Sequence, residues 1–532
     1  MATALSAAMP PLDAKIDEPN STSASADLAA WLWRNATLYP DKPFIVSIDQ
    51  DKSVTHRQFF ALCGRIGRYL KARGIGANDR VALLSNNSIE HLATYVGTMA
   101  YGATACTIHV EMNELYLGDI LAGVNPKIAL YEAGVGADKY AGKTPGDWMA
   151  LGEWRADGAT GWFAELARLP DGDFPTPVNR LSDDASVVYT SGTASKPKGV
   201  VLTFAELVGN AEPTADAFGI AATDRVLDFR SYNWVSAQVL SCLGVLCKGG
   251  TLLLARKFSQ SRYLDWIATH QATIAAGNPT TINMMINRPV PLTAKDLPHL
   301  RYITSSSAPL LVEEWKRFEA LYGIPIAQGY GTSETGWICG SNEKTRKFGT
   351  VGRPLPYHKL GIVGGDGKPL PTGEIGLIEL GGDPARRYRY LADDGTIRIN
   401  ATGRTQTGDL GFLDDEGYLH ITGRAKELII RGGVNIAPVE IDNILLEMPE
   451  IAEAATIGVP DKIYGEAVVV YVAARAGVAL TVDAVAAHCA KRLTEFKRPL
   501  QIVFRTALPK TERGKMDRVA LVAEWKKTHA GG

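Results

Sequence analysis

The sequence predicts an α/β protein: a large N-terminal domain of doubly wound sheets carrying a small β-barrel-like region, then an α+β C-terminal domain. Three observations predict it. Apolar strand patterns alternate with helical ones up to about Gly349, the order that builds largely parallel sheets with helices on their faces. The texture then turns to glycine, proline and short β-like runs in "GTVGRPLPYHKLGIVGGDGKPLPTGEIGLIELGG", which suits a twisted, barrel-like β region. Past "ITGRAKELIIRGG", helix and strand patterns resume over about a hundred residues, an ordinary size for one domain.

In chain order, "THRQFFALCGRIGRYLKARGIG" sets Phe59, Leu62, Cys63, Ile66, Tyr69 and Leu70 at helical spacing, and Gly74 stops the helix. "RVALLS" is a short buried strand. Asn86, Asn87 and Ser88 behind it can cap the helix "IEHLATYVGTMAYG". "ASVVYT", "GTLLLA" and "LRYITS" are further apolar strands. Near the end of the chain "VEIDNILLEM" and "VDAVAAHCAKRL" read as helices, "AVVVYVAA" and "QIVFRT" as strands. This organisation gives a disordered tail over 1–26, one domain over 27–424 and a second over 425–532, with the boundary near Lys426.

The 532 residues, 46% of them hydrophobic, suffice for a large core and, by length, roughly three to four folding units. Lys+Arg (56) nearly cancel Asp+Glu (57), so no global field draws the chain to nucleic acid or an anionic membrane. The six cysteines are scattered; Cys242 and Cys247 lie close together with no matching second pair. That indicates neither a zinc site nor a disulfide framework, and it fits a reducing compartment. No apolar run is long enough to span a bilayer. The first residues lack a basic start and a sustained apolar segment, so they read as a tail and not as a signal peptide. A cytoplasmic protein is expected, either monomer or homodimer.

The strand "ASVVYT" runs straight into "YTSGTASKPKGV". Glycine lets backbone N–H groups approach an anion, hydroxyls add hydrogen bonds and lysine supplies charge, so the stretch suits a polyphosphate. It does not fit G-x-x-x-x-G-K-[ST], the common nucleotide loop. Its position after a strand is where open α/β sheets hold ligands. Four other stretches combine small, hydroxyl and charged residues: "SSSAPL" after "RYIT", "QGYGTSETG", "TGDLGFLDDEGYLHITGRAKE" and "LPKTERGKMDR".

Together, in this order, these motifs resemble the acyl-adenylate-forming superfamily of acyl-CoA synthetases, peptide-synthetase adenylation domains and firefly luciferases. The similarity runs from about Ala29 to Arg518 through "YTSGTASKPKGVVLT", "YGTSE", "TGDLG", "GRAKELIIRGGVNIAPVEID" and the Gly514–Lys515 pair. The resemblance implies an AMP-forming acyl-CoA ligase using ATP, Mg²⁺ and CoA: a carboxylate attacks the α-phosphate to give an acyl-adenylate, and a thiol then displaces AMP. It implies that Thr190, Ser191, Gly192, Thr193 and Lys198 hold the β- and γ-phosphates, that Glu334 holds Mg²⁺, and that Ser333 contacts the α-phosphate. Tyr330, beside Gly331, would stack on adenine with Ser307, Ala308 and Pro309 on its other side. Asp409 would accept the ribose hydroxyls, with Arg424 nearby. Lys515 would reach the reacting carboxylate and α-phosphate from a C-terminal domain mobile about the hinge Lys426. Gly432 and Gly433 would leave room for the pantetheine arm of CoA.

Two positions depart from the family pattern. Ala194 and Ser195 stand in place of the second threonine and the glycine of T-S-G-T-T-G-x-P-K-G, and Phe204 stands where a histidine is frequent. By the same resemblance, Trp234, Ser236, Ser306, Gly329 and Trp337 line the acyl pocket, with Gly329 keeping its floor open. Two tryptophans take up volume, and extra serines are costly beside pure hydrocarbon. A short or polar acid is therefore expected. Arg230 and Arg301 flank these segments and read as solvent-facing, with pairing to a second acidic group of the substrate as the alternative. Arg431, Lys497 and Arg498 are candidates for the CoA 3′-phosphate. Two rival readings remain: an enzyme loading a carrier-protein phosphopantetheine, and a catalytically silent nucleotide-binding scaffold.

Overall fold

Two twisted sheets meet across a layer of buried helices in the computed structural model, which describes residues 24–155, 157–170, 172–190, 197–381, 388–399, 405–475, 477–511 and 516–529. The first sheet runs in the order Ile326–Gln328, Tyr302–Ser305, Ile274–Ala275, Arg225–Asp228, Thr251–Leu254, Pro43–Ser47, Lys52–Thr55, parallel but for its last pair. The second runs Ile397–Ile399, Arg389–Leu391, Gly199–Thr203, Asp184–Tyr189, Thr104–Thr107, Arg80–Leu84, Ile128–Tyr131, Asp147–Ala150. It is parallel from Asp184–Tyr189 onward and antiparallel on the other side.

The helix His56–Ala72 starts at a capping box of Thr55 and Gln58 and is followed by Gly74 at φ +68°. The helix Ile89–Tyr101 is capped by Ser88, whose Oγ accepts from the His91 N–H at 3.0 Å. Every residue of the second helix is buried, as a helix enclosed on all sides must be. Its Leu92, Val96 and Met99 share one core with Ile45, Val226 and Leu252 of the first sheet and Val81, Leu83 and Val188 of the second. That shared core aims the carboxyl ends of both sheets at the same space.

The glycine- and proline-rich stretch forms a four-stranded antiparallel sheet in the order Lys359–Val363, Gly376–Gly381, Thr405–Leu413, Leu419–Arg424. Among the described residues its path is open, where a barrel would close. Beyond Arg424 a smaller unit builds one five-stranded sheet of Ile429–Arg431, Val434–Ile436, Ile451–Asp461, Gly465–Ala474 and Gln501–Arg505. Its strand Gly465–Ala474 is buried and apolar from Ala467 to Ala473 because both faces are covered there. Val468, Val470 and Val472 pack with Ile441, Leu445 and Val485 of the helices Pro438–Leu446 and Val482–Arg492, while Val469 and Tyr471 pack with Leu521 of the helix Arg518–His529.

The two units touch through the helix Val312–Tyr322. The Val312 N–H donates to Asn443 Oδ1 at 3.3 Å, and Arg317 donates to the Leu446 carbonyl at 3.4 Å. All six cysteines are free and buried. Among the described residues no helix is long and apolar enough to cross a membrane.

Candidate active site

The phosphate-loop stretch links two antiparallel strands, Asp184–Tyr189 and Gly199–Thr203. Its ends are pinned together: the Thr190 N–H donates to the Lys198 carbonyl at 3.0 Å, and the Lys198 N–H to Thr190 Oγ1 at 3.2 Å. Ser191, Gly192 and Thr193 lie outside the described residues. The Lys198 ammonium lies 5.5 Å from the ring centroid of Tyr390, and the Tyr390 hydroxyl donates to Glu334 Oε1 at 3.2 Å.

Ser333 and Glu334 sit in the turn between the antiparallel strands Tyr330–Thr332 and Gly336–Gly340. Thr332 and Thr335 brace that turn through their hydroxyls, 3.0 Å apart. Gly331 is obligatory there, because a Cβ would come within 2.2 Å of the Gly336 carbonyl oxygen. The hairpin follows the strand Ile326–Gln328, so it projects from the carboxyl end of the first sheet while Tyr390 and Lys198 belong to the second.

Beside it, Asp409 is buried between two donors. The Tyr330 hydroxyl reaches Asp409 Oδ2 at 2.5 Å and Arg424 Nε reaches Oδ1 at 2.7 Å. Asp409 and Arg424 face each other across paired strands. Burial first, and the Asp409 charge second, push the Tyr330 phenol well above its ordinary range, so it is a neutral donor. The loop after the strand Tyr302–Ser305 holds Ser307 at φ +75°, a left-handed conformation rarely taken by a residue with a side chain. Ala308 and Pro309 follow it.

Of the acyl-pocket candidates, Trp337 meets Ser236 and Gly329, and the surroundings of these residues bring corrections. Trp337 is only 2% exposed and donates its indole N–H to the Ser236 carbonyl at 3.2 Å. Gly329 does not keep a floor open: the place of its missing Cβ lies 2.5 Å from Phe218 Cζ and 2.6 Å from Trp337 Cζ3, so the two rings fill that space. The rings meet edge to face at 5.0 Å. Nor is Arg230 solvent-facing. It is 4% exposed, forms a buried pair with Asp228 at 2.7 Å, and donates from Nη1 to Ser306 Oγ at 3.3 Å. Burial is the largest influence on its guanidinium, yet Asp228 outweighs it and holds the pKa above the ordinary value. Arg301 is tied to Asp224 and Glu343, at 2.9 and 3.0 Å, away from any role as a free cation. Trp234 stacks on His109 with centroids 5.4 Å apart and planes 10° apart.

Sequence reasoning missed His109, Tyr390 and the Asp228 partner of Arg230. None sits in a motif. His109 follows the strand Thr104–Thr107 and Tyr390 lies on a short strand between residues outside the description, so their shared signal is position beside the carboxyl ends of strands, which needs the sheet order to be known.

In the smaller unit Lys426 is exposed in a helical turn, Ala425–Glu427, directly after the last strand of the four-stranded sheet. Gly432 (φ +58°) and Gly433 (φ +82°) form the two-residue turn of a β-hairpin, a place that requires positive φ at both positions. Of the three candidate cations nearby, Lys497 is paired with Glu440 at 2.6 Å, whereas Arg431 and Arg498 donate to backbone carbonyls. Lys515 lies outside the described residues; its flanks Lys510 and Met516 pair as an antiparallel bridge.

The chain matches the family model described as "AMP-binding enzyme" over residues 32–387 and that described as "AMP-binding enzyme C-terminal domain" over 440–515. It is 33% identical to a sulfoacetate–CoA ligase of Cupriavidus necator, covering 93% of this chain and 97% of that protein. It is 30% identical to the long-chain-fatty-acid–CoA ligase FadD13 of Mycobacterium tuberculosis, covering 94% and 98%. Among solved structures, ATP-bound MatB from Rhodopseudomonas palustris superposes with a TM-score of 0.83 at 27% identity, covering 94% of this chain and 99% of that one.

Proposed function

The chain belongs to the AMP-binding enzyme family and is an adenylate-forming acyl-CoA ligase, and from that premise we propose that its acid is short or polar. One observation carries this reading: Ser306, 3% exposed, already accepts from the buried Arg230, so its own O–H remains a donor. A hydrocarbon tail would leave that donor unpaired, at a cost of about 1–3 kcal/mol. A substrate oxygen would accept it. The rings of Phe218 and Trp337 add to the argument by filling space that a long chain needs. The sulfoacetate named for the Cupriavidus relative supports a polar acid; the long-chain acid named for the Mycobacterium relative does not.

In the first half-reaction the acid carboxylate attacks the α-phosphorus of ATP. An acyl–O–P bond forms, the bond to the β-phosphate oxygen breaks, and pyrophosphate leaves. Thr190, Ser191, Gly192, Thr193 and Lys198 hold the leaving phosphates, Ser333 meets the α-phosphate, and Lys515 meets the charge that gathers there. Asp409 and Arg424 take the ribose, and Tyr330 with Ser307, Ala308 and Pro309 sandwiches the adenine. Mg²⁺ suits the donor set, since Glu334 offers a hard oxygen. Among the described residues no group of three or more His, Cys, Asp or Glu stands ready to hold a metal, so phosphate oxygens would complete its shell. When bound, the cation neutralises phosphate charge. In the second half-reaction the CoA thiolate attacks the acyl carbon and AMP leaves. The chain divides at about residue 424, Lys426 is the hinge, and rotation exchanges Lys515 for Gly432 and Gly433 beside the thiol. Six free, buried cysteines support a cytoplasmic setting.

The test is pyrophosphate release with CoA across short, dicarboxylic, sulfonated, aromatic and medium- to long-chain acids. The expected result is a kcat/KM at least about tenfold higher for a short or polar acid than for any long-chain acid, a difference of about 1.4 kcal/mol. Preference for long chains would refute the reading.

A further inference from the structure

We propose that Tyr390 is a positioning residue for the triphosphate end of the site, its hydroxyl aiming the Glu334 carboxylate while its ring face seats the Lys198 ammonium. The inference rests on the roles given above to Glu334 and Lys198.

Glu334 and Lys198 reach this place from different sheets, and Tyr390 touches both. Its hydroxyl donates to Glu334 Oε1 at 3.2 Å, and Lys198 Nζ lies 5.5 Å from its ring centroid, within cation–π range. The turn holding Glu334 is braced by Thr332 and Thr335, but those bonds leave the carboxylate itself unaimed. Among the described residues the Tyr390 hydroxyl is the donor to it. A carboxylate that is to ligate a cation works best when a second group fixes its rotation.

Tyr390 is fixed in its turn by backbone pairing. Val200 opposes Tyr390 and Gly199 opposes Leu391, so its strand is in register with the one that leaves the phosphate loop. The neighbouring Arg389 ties the same strand to the buried Asp184 at 2.7 Å. The phenol is an uncharged hydrogen-bond donor. A neutral spacer has a further consequence. Among the described residues Lys198 and Glu334 form no ion pair with each other, and the ring between them keeps one charge available for phosphate and the other for a cation.

The test is calorimetric titration of the full chain with ATP, in Mg²⁺ and in EDTA, for wild type, Tyr390→Phe, Tyr390→Leu, Glu334→Gln and the Phe–Gln double variant. Phenylalanine keeps the ring and loses the hydroxyl. It should weaken Mg·ATP binding by about 10- to 100-fold, the usual loss when a partner of a ligating carboxylate is removed, and leave ATP binding in EDTA unchanged. In the Glu334→Gln background the same change should cost less than about twofold, because the coupled partner is gone. Leucine should weaken ATP in EDTA as well, by unseating Lys198; should the leucine variant not fold, the phenylalanine arm decides. An unaltered Mg·ATP affinity for Tyr390→Phe, an equal loss with and without Mg²⁺, or a full loss in the Gln background each overturns the inference. If Glu334→Gln itself leaves Mg·ATP binding unchanged, the reading of Glu334 fails and this inference falls with it. If Glu334→Gln weakens binding but Tyr390→Phe does not, only the role of Tyr390 is lost.

Discussion

Asp409 and Tyr390 illustrate two kinds of site residue. Asp409 lies inside a spaced motif, and the structure buries it between Tyr330 and Arg424, the latter directly across paired strands. Replacing it by alanine removes a charged acceptor from the proposed ribose site, a loss of about 1.5–3 kcal/mol. ATP affinity measured by calorimetry should therefore fall at least about tenfold. Unchanged affinity would mean that the carboxylate only braces Tyr330 and Arg424. Tyr390 had no such announcement. Its chemistry arises where its strand joins the sheet that carries the phosphate loop, and a tyrosine in "RRYRYL" has no local feature that says so.

The hairpin over Tyr330–Gly340 shows how one element serves packing and chemistry together. Its backbone presents Ser333 and Glu334 at the turn, while Trp337 anchors the return strand in the core, bonded to Asn210 and Ser236 and set against Phe218. Trp337→Ala should cost about 3–5 kcal/mol of stability, as truncation of a buried tryptophan does, and should move acid preference towards longer chains. Trp234 is half-buried and stacks on the half-buried His109, so Trp234→Ala should shift acid preference with less change in melting temperature than Trp337→Ala. Chain-length profiles and thermal melts of both variants check this. Profiles identical to wild type would make the two rings packing alone. The space above Gly329 was misjudged from sequence because a glycine signals closeness of something, without saying whether that is a ligand or a ring.

Close to where the two units meet, Glu314 gives the molecule a pH-dependent group. It sits at the start of the helix Val312–Tyr322, accepts from Asn283 at 2.7 Å, and faces Lys510 and Glu453 of the smaller unit. Burial is the largest influence and pushes its pKa from 4.5 up to about 7, with Glu453 adding to the rise and Asn283, the Leu311 backbone and Lys510 opposing it. A raised carboxyl pKa means that the folded chain binds more protons than the unfolded one. Its contribution is complete below about pH 4.5 and is lost as pH rises through about 7. Melting temperature should thus decline between pH 5 and 8 more steeply in wild type than in Glu314→Gln, as checked by thermal melts across that window. Parallel curves would show that Glu314 does not titrate there.

Order along the chain was enough for the α/β class, because strand and helix periodicity are local properties, and for the family, because its motifs are short stretches. Packing partners were beyond it. That Arg230 is buried and reaches Ser306, that Phe218 and Trp337 occupy the space at Gly329, and that Tyr390 bridges Lys198 and Glu334 all depend on segments far apart in sequence. These contacts exist only because a shared core of buried helices turns the carboxyl ends of two sheets towards each other, and no window of the sequence contains that juxtaposition.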